Sequence, residues 1–283
     1  MSNDTYPKYT LMSLDMSIED CFYRFRRDRA YTSTVVYVHL QDLDILGEDD
    51  GRTYGPSIIR QFSLVVDAWN RSWTTLTVFK HDGKVQSTEN TWTPHFLPMD
   101  TPLQDLPRYD VLDLVVRHRY KNRVSLVDFE SQRQIFKFCP FEYELPYLTQ
   151  EITALTILSN RGCWLIPPVL SYVFERSEEQ IIGFICKELQ GRSAEPGDYD
   201  QCRDALQKLH SYGCVHGDVN KFNIIMTADG PRFIDFEKSR LNTDLSAAEL
   251  ATIQQQELDG LDAALKDEEG WGKPRSAVDY DRP

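Results

Sequence analysis

At 283 residues and 32.9 kDa the chain exceeds one ordinary compact domain, which points to one large two-lobed unit or to two domains. A formal charge of −13 at pH 7 repels polyanions over most of the surface and argues against a general nucleic-acid binder. No apolar run is long enough to cross a bilayer, and the start "MSNDTYPKYT" has neither the basic nor the apolar stretch of a secretory signal. No membrane association and a cytoplasmic location are therefore expected. The six cysteines are scattered without CxxC pairs, and are expected to be reduced, buried thiols rather than zinc ligands.

In chain order, residues 1–105 read as a β-rich accessory region. "STVVYVHL", "IIRQFSLVVDAW" and "WTTLTVFK" suggest strands or one short helix, followed by the Pro-rich connection "TPHFLPMDTPLQDLPRYD". Such a region could be a separate domain, an extension packed on later strands, or a surface for a protein partner. Between residues 111 and 138, "VLDLVVRH", "RVSLVDF" and "RQIFKF" read as three antiparallel strands split by the polar breaks "RYKN" and "ESQ". Pro146 then precedes "YLTQEITALTIL", whose Leu148, Ile152, Leu155 and Leu158 fall at helical spacing up to Gly162. "WLIPPVLSYVFE" and "QIIGFICKEL" supply two further strands before the breaker-rich "QGRSAEPGD".

A helix over "YDQCRDALQKLHSYGC", closed by Gly213, delivers the chain into "VHGDVNKFNIIM". Beyond it, "LNTDLSAAELATIQQQELDGLDAAL" has helix-forming composition in which Ser246 and Glu249 fit a capping box, and the charged residues 269–283 read as a flexible tail. The set Asp218, Asn223 and Asp235 has the composition that phosphoryl transfer needs. One carboxylate faces an acceptor hydroxyl, while an amide oxygen and a second carboxylate suit a hard divalent cation. As an alternative, the Asp and Asn only cap the backbone of a helix–turn–strand connection.

"HGDVNKFN" followed by "IDFE" resembles the catalytic loop and metal-binding Asp of the protein-kinase-like superfamily. The HGD form is similar to RIO-type atypical kinases, lipopolysaccharide core kinases and aminoglycoside phosphotransferases. The resemblance implies an α+β, bilobal protein-kinase-like fold: an N-lobe at 106–189, an abbreviated C-lobe at 190–268, and a β-rich N-terminal extension. It implies Asp218 as catalytic base, Asn223 and Asp235 as magnesium ligands, and His216 as a brace. It further implies Lys137 on the third strand as the ATP-phosphate lysine, paired with Glu151 on the next helix, with Glu144 the fallback. The backbone at Lys187, Glu188 and Leu189 would form the adenine-binding hinge.

Two features depart from the pattern. No glycine occurs between Gly83 and Gly162, so the Gly-rich phosphate loop is replaced by "RHRYKNR", in which Arg119 and Lys121, with Arg117 and Arg123, are basic candidates for the phosphates. Glu237 stands where glycine is common, and no APE element follows. The expected activity is ATP- and Mg2+-dependent transfer of a phosphoryl group to a hydroxyl acceptor, first of all on protein. A small-molecule or sugar kinase is the alternative, and a pseudokinase acting as an interaction module is the third reading.

Overall fold

Apolar residues run almost unbroken through "CFYRF" and "TVVYVHL", the pattern of strands buried on both faces. In the computed structural model, which describes residues 6–47 and 50–268, these segments are β2 (Cys21–Arg29) and β3 (Thr32–Leu40), following β1 (Lys8–Met16). A short helix α1 (Asp50–Thr53) and helix α2 (Gly55–Val65) cross over to β4 (Thr75–His81), which turns into β5 (Lys84–Glu89). The five strands form one sheet in the order β1-β2-β3-β4-β5, antiparallel except for the β3–β4 pair. Tyr23, Phe25, Val36 and Val38 face Ile58 and Phe62 of α2 together with Trp69 and Trp73. "IIRQFSLVVDAW" thus contains a helix, while "STVVYVHL" and "WTTLTVFK" are strands.

β2 is hard to read in the sequence because "CFYRFRRDR" is rich in arginine. The charge on β2 is accommodated by partners rather than by water alone. Arg24, fully buried, pairs with Glu175, which directly follows a strand of the next sheet, its Nε donating at 2.7 Å, and Tyr37 donates to the other carboxylate oxygen at 2.7 Å.

The second sheet comprises β6 (Arg108–Asp110), β7 (Val115–Lys121), β8 (Val124–Phe129), β9 (Gln132–Phe138), β10 (Val169–Phe174) and β11 (Ile181–Lys187), in the order β6-β10-β11-β9-β8-β7. Helix α3 (Leu145–Asn160) sits between β9 and β10 in sequence. Val35 and Tyr37 of the first sheet pack with Val127, Phe136, Phe138 and Ile185 of the second, so two sheets share one apolar layer. One boundary differs from the sequence reading. "VLD" is a 3-10 turn capped by the Asp110 carboxylate, and the strand runs on from Val115 through "RYK" to Lys121. β7 is an edge strand, where charged side chains reach water and are tolerated.

The remaining elements are short, apart from two helices. β12 (Arg192–Ser193) precedes α4 (Tyr199–Ser211), then come β13 (Cys214–Val215), β14 (Ile224–Thr227), β15 (Gly230–Phe233), β16 (Arg240–Leu241) and α5 (Ala247–Lys266). Ser246 caps α5 reciprocally with Glu249, as its sequence implies. Leu206 and Leu209 of α4 and Leu261 and Leu265 of α5 share a core with Leu155 and Leu158 of α3 and Phe184 of β11. The chain is therefore a mixed α+β protein with several sheets and few helices. The expected tail at 269–283 lies outside the described residues. All six cysteines are buried and unpaired to one another.

Candidate active site

The loop after β13 is held from three sides. His216 is fully buried; its Nε2 donates to the Ile234 carbonyl at 3.0 Å while its Nδ1 accepts the Asp218 amide at 3.3 Å, which assigns the neutral Nε2–H tautomer. Burial pushes this imidazole below its ordinary pKa, against the pull of Glu257. Gly217 has φ +77°, and a Cβ there would lie 2.1 Å from the Lys238 carbonyl oxygen. Only glycine fits. Asn220 caps the following turn, its Oδ1 accepting the amides of Phe222 and Asn223 at 2.9 and 3.1 Å. Asn223 donates Nδ2 to the Asp218 carbonyl at 3.0 Å, which leaves its Oδ1 as the atom that can meet a cation.

Sequence reading missed the residue that ties this loop down. Glu257, in the middle of α5, accepts from the amides of Gly217 at 2.6 Å and His216 at 3.2 Å, and from His210 Nε2 at 2.7 Å. In the text α5 is a polar helix with no motif, so nothing but the fold singles this carboxylate out.

A second cluster forms where β9 and α3 meet the segment after β15. Lys137 Nζ lies 2.7 Å from Glu151, 2.7 Å from Asp235 and 2.8 Å from Glu237. Burial alone would lower the Lys137 pKa, but the three carboxylates outweigh it and hold the ammonium charged. Burial works upward on Asp235 as well, yet Lys137 holds its carboxyl down at about 2. For Glu151, burial and the neighbouring carboxylates push upward against the pull of Lys137. Glu151 also accepts the Phe236 amide at 3.1 Å, so α3 is fastened to the turn that carries Asp235. Glu144 stands outside α3, in a 3-10 turn, and faces Arg123 at 3.4 Å.

A cavity of about 300 Å³ opens between these clusters. Val124, Ile135, Phe184 and Ile225 make apolar walls, and Lys137, Asn223 and Asp235 lie at one end. Lys121, Lys187, Glu188 and Leu189 also border it, but Arg119 does not: Arg119 Nη1 reaches toward the Met12 carbonyl at 3.4 Å, over the first sheet. A register shift between Arg119 and Lys121 separates the two basic residues. Arg117 is paired with Asp128 on β8. The amides of Lys187 and Glu188 are used within the protein, on the Pro168 carbonyl at 2.9 Å and Gln134 Oε1 at 3.0 Å. In place of a Gly-rich loop, β7 and β8 join through a tight turn at Asn122 and Arg123, and the Arg123 guanidinium reaches Glu237 at 3.1 Å.

Residues 181–250 match the RIO domain family. That stretch runs from β11 through the loop and Asp235 into the start of α5, and it supports a RIO-type, protein-kinase-like reading of this part of the chain. Comparison with curated proteins finds no match. The RIO match contains Asp218, Asn223, Asp235 and Glu237, whereas Lys137 and Glu151 come to the same place from outside it.

Proposed function

We propose that the chain is an ATP-dependent, RIO-type phosphotransferase acting on a hydroxyl, first of all on protein. In this reading 106–189 and 190–268 are the two lobes, and 1–105 is an extension that can serve a protein partner. One observation carries the proposal: a buried Lys137–Glu151 pair, drawn from β9 and α3, meets Asp235 at 2.7 Å beside a cavity bordered by Asn223. Three distant parts of the chain converge there, which a capped loop alone does not require. The apolar walls suit an adenine ring, with the Leu189 backbone at its edge. Lys137, aligned by Glu151, and Lys121 would meet the phosphates. Asn223 Oδ1 and Asp235 are oxygen donors of the kind a magnesium ion takes; held there, it would neutralise phosphate charge. Asp218 would accept the proton of the acceptor hydroxyl as it attacks. No described helix is long and apolar enough to cross a membrane, and a cytoplasmic location is part of the proposal.

A specific contact favours a second reading. Glu237 holds Lys137 at 2.8 Å and so competes with a phosphate for the same ammonium, as expected of a scaffold that does not turn over. The test is the full chain with Mg-ATP labelled at the γ position, assayed for transfer to itself or to added protein, alongside its melting temperature. Transfer that falls a hundredfold or more in Asp218→Ala and Asp235→Ala is the expected result. Stabilisation by Mg-ATP without transfer favours the scaffold, and neither effect would sink both readings.

A further inference from the structure

A carboxylate that serves as base in phosphoryl transfer has to stand beside a group of its own charge, so a cation next to it lowers the barrier. Of the described cations beside the cavity, Lys121 is assigned to the ATP phosphates, and others are already held by carboxylates. Lys137 faces three carboxylates, and Arg123 faces Glu144 and Glu237. Lys221, inside the loop, is drawn away to Glu268 at 2.6 Å and is almost fully buried. Lys238 is different: its Nζ lies 3.2 Å from Asp218 Oδ1, while its side chain is 58% exposed.

The stem of Lys238 is set firmly. Its carbonyl packs against Gly217, where no Cβ fits. The next residue, Ser239, bonds the Phe236 carbonyl through both its amide and its hydroxyl, at 3.1 and 2.7 Å, and receives Gln150 of α3 at 2.7 Å. A flexible ammonium is thus mounted on a rigid turn and aimed at the catalytic loop. Asp218 stands between two donors, with Asn223 Nδ2 3.4 Å from Oδ2 and Lys238 on Oδ1. Asn223 faces one oxygen of the carboxylate, and Lys238 the other.

We infer that Lys238 is a catalytic residue of the proposed phosphotransferase, the cation that meets the transferring phosphoryl group at Asp218. The acceptor oxygen bonds to the γ-phosphorus as the bond from that phosphorus to the β–γ bridging oxygen breaks. ADP leaves with the electron pair, and the hydroxyl proton passes to Asp218. Lys238 moves from Asp218 Oδ1 toward the phosphoryl oxygens as the carboxylate takes that proton. An exposed ion pair of this kind stabilises a fold little, so holding the protein together does not account for its placement.

This inference rests on the phosphotransferase reading, and one experiment separates the two. ATP turnover by the full chain with magnesium, with water or its own hydroxyls as acceptor, is measured for wild type, Lys238→Met and Lys238→Arg. A fall in kcat of roughly a hundredfold in Lys238→Met is expected, with KM for ATP and melting temperature unchanged, and partial recovery in Lys238→Arg. An active wild type with Lys238→Met within twofold of it, or with only KM raised, overturns the role of Lys238 and leaves the phosphotransferase standing. A wild-type chain that does not turn over Mg-ATP, whether or not it binds it, overturns both.

Discussion

Two parts of the site are built by different means. In one, the loop from His216 to Asn223 is held by hydrogen bonds to backbone atoms: Glu257 on two amides, His216 on the Ile234 carbonyl, Asn220 on its own turn. In the other, the Arg123 turn of the β7–β8 hairpin is tied by ion pairs, to Glu237 at 3.1 Å and Glu144 at 3.4 Å. Backbone bonds cannot be exchanged for a ligand's, so the loop is preorganised. Ion pairs can be, because a phosphate offers the same oxygens to Arg123 and Lys137 that Glu237 now does. The contrast assigns rigidity to the loop that carries Asp218 and adjustability to the hairpin that carries Arg123.

The largest effect should come from breaking the rigid part. Gly217→Ala puts a methyl group 2.1 Å from the Lys238 carbonyl at φ +77°, so loop and turn must separate. The strain and the clash together are expected to cost about 2–4 kcal/mol, lowering the melting temperature, with phosphoryl transfer lost even in the folded protein because Asp218 is displaced. Urea unfolding and turnover at a temperature well below the transition separate the two losses. A fully stable, active Gly217→Ala chain would mean the loop is not held as described.

The adjustable part should respond in the opposite direction. Glu237→Gly removes a carboxylate from Lys137 and Arg123 and leaves both cations open to the phosphates. Affinity for Mg-ATP is expected to rise by about tenfold, roughly the value of one competing charged contact. Titration calorimetry at two salt concentrations measures it, with the gain larger at low salt. A drop in affinity would instead make Glu237 part of the nucleotide site.

How much of this was legible in the sequence follows the same division. The loop could be read because its chemistry is local: His216, Asp218 and Asn223 lie within one turn, and Gly213 and Gly217 punctuate it. The order of three strands, a helix and two strands in the second sheet was also legible, from alternation in β8 and β9 and helical spacing in α3. What was hidden depends on pairing over distance. Glu257 is one of many acids on a polar helix, and only the packing of α5 against the loop distinguishes it. The basic cluster "RHRYKNR" gave no hint that Arg117, Arg119 and Lys121 would point to three different surroundings, because a strand edge and a register shift decide that. β2 was obscured for a related reason: Arg24 reads as a surface residue until its buried partner Glu175 is placed.

A remaining effect tests the hairpin through pH. Glu144 packs in the crevice beneath Arg123, where burial pushes its carboxyl up to about 7; Arg123 and the Phe141 amide pull it down, and Asp15 and Glu237 add to the rise. A carboxyl raised in the fold binds its proton more readily there than in the unfolded chain, where 4.5 is ordinary. Its effect on stability therefore grows as pH falls through about 7 and is complete below about 4.5. Above 7 the ionised group is a burden. Wild type should gain on the order of 1–3 kcal/mol relative to Glu144→Gln between pH 8 and pH 5, since the amide does not titrate. The protonated acid also loosens its hold on Arg123, so Mg-ATP affinity should depend on pH in wild type and less in the variant. Unfolding curves at both pH values check the first statement. Parallel curves for the two proteins would show that Glu144 remains ionised in the fold, and the hairpin would then be tied more firmly than the comparison with the loop requires.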